Sequence, residues 1–276
     1  MAKLVIGTDK TVGVPVVTKE IEKLPAMGLV RAKDANGKLI ASTTESQIMD
    51  FTGVTDVSEH MLACAYYNNT AISGAVDMSD LTTVSGQYAC SRTFQGCAGI
   101  TSVDLSALIT LTLSGEYACQ YMFQDCTGIT SVDLSGLTTV SGNGACQYMF
   151  QGCTGITSVD LSGLTTVSGS GSCSRMFQGC TGITSVDLSG LTTLSGNNAC
   201  NGMFQGCKSL ATVYIGGTTA INFGTRTNQF QLMFQYCTQN IDVYAPAASQ
   251  SQIESLYGYP NFGATGNVTW HWNTAE

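Results

Sequence analysis

The chain of 276 residues has a net charge of −8 and a charged fraction of only 11%, which argues against nucleic acid as a partner. No apolar run reaches the roughly 20 residues that a bilayer-spanning helix needs, so we predict no membrane insertion. The amino terminus, MAKLVIGTDKTVGVP, lacks the apolar core of a signal peptide. If Met1 is the natural start, we expect no export by the usual secretory route.

Basic residues concentrate at the amino-terminal end. Residues 1–38 hold seven of the eleven basic residues and four acidic ones, a charge of +3, which leaves −11 for the remainder. Two strand-like runs, Lys3–Gly7 and Val12–Thr18, precede the polar stretch Ser42–Gln47. We therefore predict a separate N-terminal leader over residues 1–56, which is a candidate segment for attachment to a larger assembly.

An internal repeat dominates the rest of the chain. The unit MFQGCTGITSVDLSGLTTVSG recurs almost letter for letter, and its phenylalanine returns at intervals of 29, 27, 27, 27 and 30 residues. These phenylalanines are Phe94, Phe123, Phe150, Phe177, Phe204 and Phe234. Residues Tyr66–Ile72 repeat the pattern in degenerate form and are predicted to be an N-terminal cap. A period of this length predicts a solenoid, which we assign to residues 57–245.

Each repeat places apolar residues at two different periods. Ile156, Val159 and Leu161 follow an L-x-x-L-x-L pattern, which predicts a short strand, and a second extended segment follows it. The next apolar residues are spaced i, i+3, i+4 and i+7, which predicts a short helical turn. In one repeat they are Cys173, Met176, Phe177 and Cys180. The expected fold is a leucine-rich-repeat-type, right-handed stack of about six to seven β-containing rungs.

The repeat resembles the BspA-like leucine-rich-repeat family. Residues Cys146–Cys153, CQYMFQGC, match the turn M-x-x-M-F-x-x-C of that family with cysteine in place of the first methionine. The resemblance covers residues 61–245, and the segment from Val243 through a short helix expected at Ile253–Tyr257 resembles the closing segment of the family. Residues 246–276 are therefore expected to form a C-terminal cap. The resemblance implies a microbial surface or virion-borne protein associated with adhesion and display.

Ten of the twelve cysteines occupy two fixed positions of the repeat, with the spacing C-x6-C. Equivalent cysteines on stacked rungs lie about 5 Å apart with parallel side chains, which disfavours the dihedral angle of a disulfide. We therefore predict buried free thiols that pack as small hydrophobic groups, with bridges between rungs as the alternative. The spacing is also wrong for zinc, and His60 and His271 are the only histidines.

The sequence predicts neither an enzyme nor a cofactor. No histidine lies beside a repeated serine or cysteine, and a catalytic nucleophile needs a base within hydrogen-bond reach. The G-x-x-G and S-G pairs are typical of turns, because no P-loop Lys-Ser/Thr accompanies them.

One row of carboxylates is the candidate site. Five aspartates, which we call the aspartate ladder, occupy the same strand position on successive repeats and should project outward about 4.8 Å apart. They are Asp77, Asp104, Asp133, Asp160 and Asp187, and the row continues in Tyr214 and Tyr244.

Three interpretations of the aspartate ladder are open. In the simplest, each carboxylate is solvated or accepts hydrogen bonds from neighbouring serine and backbone groups. In the second, the ladder binds cations or a partner, and the weak candidates for metal ligands are Asp104, Asp133, Asp160 and Asp187. Glycoside hydrolysis is least favoured, because five equivalent carboxylates do not divide into an acid and a base.

Two further features have structural interpretations. The glutamines beside the phenylalanines, Gln95, Gln124, Gln151, Gln178, Gln205 and Gln235, are expected to hydrogen-bond along the solenoid axis. In the C-terminal VTWHWN, Trp270 and Trp272 alternate like strand residues. We predict core packing of one tryptophan face, with a ligand platform as the alternative.

Three functions are compatible with these observations. The leader and the reduced-type cysteines favour a phage virion component, of fibre or decoration type, assembled in the cytoplasm. The second hypothesis is a bacterial cell-surface adhesin, and the third and least favoured is a carbohydrate-active enzyme. Expected partners are other structural proteins of a virion or a host or cell-surface ligand, and a homo-oligomer is a further alternative.

Overall fold

A computed structural model describes residues 2–5, 18–23, 30–33, 56–57, 62–84, 86–108, 110–111 and 116–274. In the leader, strands β1 (Ala2–Val5), β2 (Thr18–Lys23) and β3 (Val30–Lys33) form an antiparallel sheet in that order. The strand-like run predicted at Lys3–Gly7 overlaps β1. The run predicted at Val12–Thr18 lies outside the described residues except for Thr18, with which β2 begins.

The remaining strands are parallel and form two faces of a solenoid. The short-strand face contains β4 (Asp56–Val57), β6 (Thr83–Val84), β8 (Thr110–Leu111), β10 (Thr139–Val140), β12 (Thr166–Val167) and β14 (Thr193–Leu194). The long-strand face contains β5 (Ser73–Asp77), β7 (Gly99–Asp104), β9 (Ser131–Asp133), β11 (Ser158–Asp160), β13 (Ser185–Leu188), β15 (Thr212–Ile215), β16 (Ile241–Pro246) and β17 (Val268–Asn273). The predicted leucine-rich-repeat-type solenoid is therefore confirmed.

The long-strand face is interrupted once. Parallel pairing links β5 to β7 and β9, and a separate sheet begins at β11 and continues through β13, β15 and β16 to β17. At the interruption Val132 is only half-buried, whereas the equivalent Val103 and Val159 on the flanking rungs are buried.

The third side of the solenoid, which we call the turn side, corrects the sequence prediction. The residues spaced i, i+3, i+4 and i+7 are buried as expected, but the backbone forms consecutive hydrogen-bonded turns and no helix. In one rung Gly144, Tyr148 and Gly152 adopt the left-handed conformation, with φ of 60°, 59° and 75°. A left-handed residue at every fourth position prevents an α-helix, although the apolar spacing is the same.

Hydrogen bonds to the next rung explain why these turns form. Alternate backbone N–H groups donate to carbonyls of the following rung, as Cys146 does to Ser172 at 2.7 Å and Phe150 does to Met176 at 2.8 Å. The intervening N–H groups close turns within their own rung, as Met149 does to Cys146 at 3.1 Å. Half of the donors that a helix would use internally therefore bind the neighbouring rung.

Aromatic rings stack through the centre of the turn side. Tyr66 lies 5.1 Å from Phe94, between ring centroids, and the stack continues through the phenylalanines of the next four rungs at spacings of 5.3–5.8 Å. All of these rings are fully buried. Because Tyr66 is buried in the same stack, the degenerate first repeat forms a packed rung.

The carboxyl-terminal segment returns to the sheet. A 3₁₀ turn (Ala247–Ser249) leads into helix α1 (Gln250–Glu254), and β17 then pairs in parallel with β16. The helix predicted at Ile253–Tyr257 is therefore displaced towards the amino terminus. Ile253 is buried within the helix, and the buried Leu256 lies just after its end.

Candidate functional site

The strands place the aspartate ladder in register, as predicted. Asp77 pairs with Asp104 and Asp104 with Asp133, and beyond the interruption Asp160 pairs with Asp187. The row then continues through Tyr214 and Tyr244 to His271, whose position in the row the sequence interpretation missed.

Each carboxylate of the ladder accepts a hydrogen bond within its own rung. The Oδ1 atom accepts from the backbone N–H of the serine two residues later, at 2.8–3.0 Å. The five pairs are Asp77 with Ser79, Asp104 with Ser106, Asp133 with Ser135, Asp160 with Ser162 and Asp187 with Ser189. The aspartates therefore stabilise the corner that follows each long strand, as the simplest interpretation predicted.

The ladder lines an open groove of about 620 Å³, which contains the side chains of Asp77, Asp104, Asp133 and Asp160. Hydrogen bonds from the backbone and hydroxyl of Ser162 lower the pKa of Asp160. Within the described ranges, no group of three or more histidine, cysteine or acidic side chains is arranged to hold a metal ion. Cation binding by the ladder thus stays a prediction.

The repeated cysteines are all free thiols, and eleven of the twelve are buried. At the second position of each C-x6-C, and at Cys237, the thiol donates to the backbone carbonyl of the preceding rung's aromatic residue, at Sγ···O distances of 2.9–3.2 Å. The pairs are Cys97 with Tyr66, Cys126 with Phe94, Cys153 with Phe123, Cys180 with Phe150, Cys207 with Phe177 and Cys237 with Phe204. The prediction of buried, unbridged thiols is confirmed, and the thiols also connect the rungs.

Burial keeps these thiols protonated. Desolvation raises the pKa of Cys97 and of Cys180 to about 12, and that of Cys237 to about 11. Burial likewise raises the pKa of Cys153 and Cys207 well above the ordinary value. A thiol with a raised pKa is a poor nucleophile and a poor metal ligand, so these cysteines are chemically inert in the folded protein.

The glutamine row forms the predicted chain of amides. Each Nε2 donates to the Oε1 of the next rung, at 2.6 Å from Gln95 to Gln124 and at 2.7 Å through the next three rungs. The last amide, Gln205, donates to Gln235. The glutamines therefore connect rungs along the axis.

Aromatic side chains cluster at the carboxyl-terminal end. On the outer surface the ring of Tyr244 stacks on Tyr214 at 5.0 Å and on His271 at 4.5 Å, and His271 Nε2 lies 2.9 Å from Asp242 Oδ1. Trp270 and Trp272 stack on each other at 5.5 Å and pack, partly buried, against the core. Core packing of the tryptophans is thus confirmed. The other histidine, His60, lies outside the described residues.

The sequence interpretation missed a second surface, on the turn side. Arg92 lies over the ring of Tyr121 at 4.4 Å, Tyr121 stacks on Tyr148 at 4.8 Å, and Arg175 lies over Tyr148 at 5.6 Å. Beside this stack is a polar groove of about 480 Å³. All four residues stand two positions before the core aromatic of their rung's pattern, a signal that could have been found in the sequence.

The fold and its surfaces together define a parallel β-solenoid repeat protein. Most of its repeated polar side chains form hydrogen bonds within or between rungs. The family model that matches the chain describes the BspA type leucine rich repeat region, in six copies over residues 64–168 and 91–239. The chain therefore belongs to the BspA-type leucine-rich-repeat family. A search of curated proteins finds no significant match. Within the described residues, no helix has the length and apolar character that a bilayer crossing needs.

Proposed function

We propose that this chain is a non-enzymatic display protein, in which the solenoid is a rigid support for a surface that binds other molecules. One observation carries the proposal: the repeated polar side chains are engaged in holding the rungs. Thiols donate to carbonyls of the preceding rung, amides bond to amides, and carboxylates cap the corners. Membership of the BspA-type family supports a surface and adhesion role.

The environment of the aspartate ladder weighs against the enzyme alternative. A glycosidase needs one carboxyl with a raised pKa as its general acid. The pKa of Asp160 is instead lowered by its hydrogen bonds to Ser162. The repeated corner geometry also gives the five carboxylates equivalent partners, so it does not assign separate acid and base roles.

Two locations compete for such a display protein. A phage virion, assembled in the cytoplasm, suits buried thiols that serve as reduced hydrogen-bond donors, and the chain would there be a fibre or decoration component. A bacterial cell surface is favoured by the family, whose repeats suit adhesion. The partners would be other virion proteins in the first case and a host or cell-surface ligand in the second, and a homo-oligomer is compatible with either.

Localisation decides between the two. Particles purified from lysates of the source culture should contain peptides of this chain if it is a virion protein, and immunogold labelling should place it on them. Protease shaving of intact cells should release the same peptides if it is a surface adhesin. Recovery of the chain only from the cytosol, in neither particles nor shaved peptides, would contradict the display function.

The leader is the proposed attachment segment. Residues 1–38 have a charge of +3 beside a remainder of −11, and the leader strands β1–β3 pair with one another. Deletion of residues 1–50 should leave a soluble rod with the parent far-UV spectrum that no longer joins its particle or surface.

An internal deletion is the matched control for this experiment. Removal of one repeat, residues 155–181, should shorten the rod by about one strand spacing of 4.8 Å while attachment survives. If the leader deletion unfolds the repeats, residues 1–50 belong to the solenoid and the attachment role is wrong.

A further inference from the structure

Three consecutive repeats are nearly identical except in one short segment. The blocks 122–142, 149–169 and 176–196 differ at only two of their 21 positions. The first position is occupied by Asp125, Gly152 and Gly179 in the three blocks, and the second by Val140, Val167 and Leu194. The hexapeptides beside these blocks read EYACQY at 116–121, NGACQY at 143–148, SGSCSR at 170–175 and NNACNG at 197–202. Only the buried cysteine is common to all four, so variation among these consecutive repeats is concentrated in these variable hexapeptides.

Exposure alone does not account for this concentration. Thr130, Thr157 and Thr184 are equally exposed on successive rungs and are identical. The aspartate ladder, which is exposed at Asp77, Asp133 and Asp160, likewise keeps its residue type through five rungs before the row changes to tyrosine. Among the three consecutive repeats, the exposed positions of the strand faces are therefore uniform while the hexapeptides differ. In repeat proteins, positions that vary on an otherwise uniform framework commonly form the binding face.

The variable hexapeptides meet in one groove on the turn side. All eleven residues that line the groove of about 480 Å³ come from them, and from four successive rungs. The lining is made of side-chain amides, hydroxyls, the ring of Tyr117 and one guanidinium, with Glu116 at one end. The amides are Asn143, Gln147, Asn198 and Asn201.

Arg175 gives the groove a positively charged guanidinium, two rungs away from the carboxylate of Glu116. Its Nη1 donates to the hydroxyl of Tyr148 at 2.8 Å and its Nε to Gln205 Oε1 at 3.4 Å. Across the part of the chain that the structure describes, no carboxylate forms an ion pair with this guanidinium. In a protein with a net charge of −8, a guanidinium without an ion-pair partner is a group that can bind an anionic ligand.

A second groove, of about 360 Å³, extends the first towards the carboxyl-terminal end. It adjoins the first at Asn197, the first residue of the fourth hexapeptide, and it contains Arg226, Asn228, Gln231 and the ring of Tyr257. Tyr257 is 62% exposed, which makes its ring available to a ligand. The two grooves together present two arginines, several amides and an accessible aromatic ring along five rungs.

This chemistry favours a carbohydrate over a protein partner. Protein interfaces are anchored by a buried apolar or aromatic centre, whereas this lining is polar along its length. Asparagine and glutamine each carry both a donor and an acceptor, which matches sugar hydroxyls that also donate and accept. The rung spacing of about 4.8 Å is close to the advance per residue of an extended pyranose chain. An arginine in the groove adds recognition of a carboxylate.

We infer that the two turn-side grooves bind an acidic oligosaccharide, with hydroxyls on the amides and a sugar carboxylate on Arg175. The variable hexapeptides determine its specificity, and the invariant blocks hold them in register. This inference rests on the proposed display function and identifies the recognition face and its ligand class.

An array of defined oligosaccharides, with sialylated and uronate-containing members beside their neutral counterparts, tests the inference. The full chain should retain acidic members and bind the neutral counterparts at least 10-fold more weakly. Arg175→Gln should weaken binding of the acidic members at least 10-fold. Arg92→Gln is the matched control, because Arg92 also lies over a tyrosine but lines neither groove. It should bind as the parent does.

A second variant, in which one hexapeptide is exchanged for another, separates loss of binding from loss of folding. Replacement of SGSCSR at 170–175 by NGACQY, which already occupies the preceding rung, should keep the melting temperature and abolish binding of the acidic members. The inference is overturned if no array member binds at millimolar concentration, if neutral members bind as well as acidic ones, or if Arg175→Gln and Arg92→Gln behave alike. Because localisation is measured separately, these outcomes leave the display function standing.

Discussion

The glutamine row and the aspartate ladder each place one polar side chain on every rung, yet they bond in different directions. The amide of Gln151 accepts from Gln124 and donates to Gln178, so the row connects rungs. The carboxylate of Asp160 accepts from Ser162 in its own rung. An amide has both a donor and an acceptor and can form a chain, whereas a carboxylate only accepts and must find an N–H group.

The difference extends to the interior. Thiols and stacked rings, like the glutamines, act between rungs, and stability in such arrays resides in the contacts between neighbours. Changes to the connecting rows should therefore cost more than changes to the ladder that serves single rungs.

The largest effect is expected from ionising the thiols. Folding raises the pKa of Cys180 to about 12, while an unfolded thiol titrates near its ordinary value of about 8.5. The stabilisation is therefore complete below about pH 8.5 and is lost as the pH rises towards 12. For Cys180 alone the loss at pH 10 is about 2 kcal/mol, and other buried thiols add to it.

Urea unfolding at pH 8 and pH 10 measures this loss. Cys180→Ala is the matched control. Between pH 8 and pH 10 its unfolding free energy should fall less than that of the parent, because the variant lacks the contribution of the Cys180 thiol. Unfolding free energies that do not change between pH 8 and pH 10 would mean that the thiols are accessible or already bridged.

The ring stack should show the next largest effect. Phe150 is fully buried and lies 5.3 Å and 5.4 Å from the rings of Phe123 and Phe177. Phe150→Ala should lower the free energy of unfolding by about 3–5 kcal/mol, because it leaves a cavity between two rungs. Tyr236→Ala, at a ring that is 61% exposed, should change it by no more than about 0.5 kcal/mol. A loss below about 1 kcal/mol for Phe150→Ala would place the stack outside the energetic core.

A smaller effect is expected in the glutamine row. Gln151→Leu leaves the Nε2 of Gln124 and the Oε1 of Gln178 without their partners. Chemical denaturation should report a loss of about 1–3 kcal/mol. Ser158→Ala, on the exposed long-strand face, should stay within about 0.5 kcal/mol of the parent. Equal values for the two variants would show that the amide chain adds nothing between rungs.

The smallest effect is expected in the aspartate ladder. The double variant Asp133→Asn with Asp160→Asn keeps an Oδ1 acceptor on each corner, so its unfolding free energy near pH 7 should lie within about 0.5 kcal/mol of the parent. Hydrogen bonds lower the pKa of Asp160 in the folded protein, so its carboxylate stabilises the fold at pH values above its unfolded pKa of about 3.9. This stabilisation is lost as the pH falls below that value. The variant should lack this part of the acid dependence.

Calcium separates the two roles of the ladder. If the carboxylates only cap corners, millimolar calcium should leave the melting temperature of the parent unchanged. A rise with calcium that disappears in the double variant would instead establish the ladder as a cation site.

The rows themselves were predictable because the repeat is nearly exact. A fixed period places Phe150, Cys153 and Gln151 on the same side of every rung, whatever the local conformation of the backbone. The conformation was not predictable from the spacing. Cys173 and Phe177 would share a face either in a helix or in consecutive four-residue turns. Tyr148 is left-handed, and tyrosine is not a residue type that predicts this conformation.

Repetition in the sequence alone determines that this protein is a solenoid, which side chains form its rows, and that its cysteines follow the stack. Only the tertiary structure decides where each row bonds, because a hydrogen bond depends on which donors the adjacent rung presents. Cys153 donates to the carbonyl of Phe123, and β17 joins the sheet beside β16, only once the rungs are stacked. The variable hexapeptides likewise become one surface because stacking brings four separate segments together.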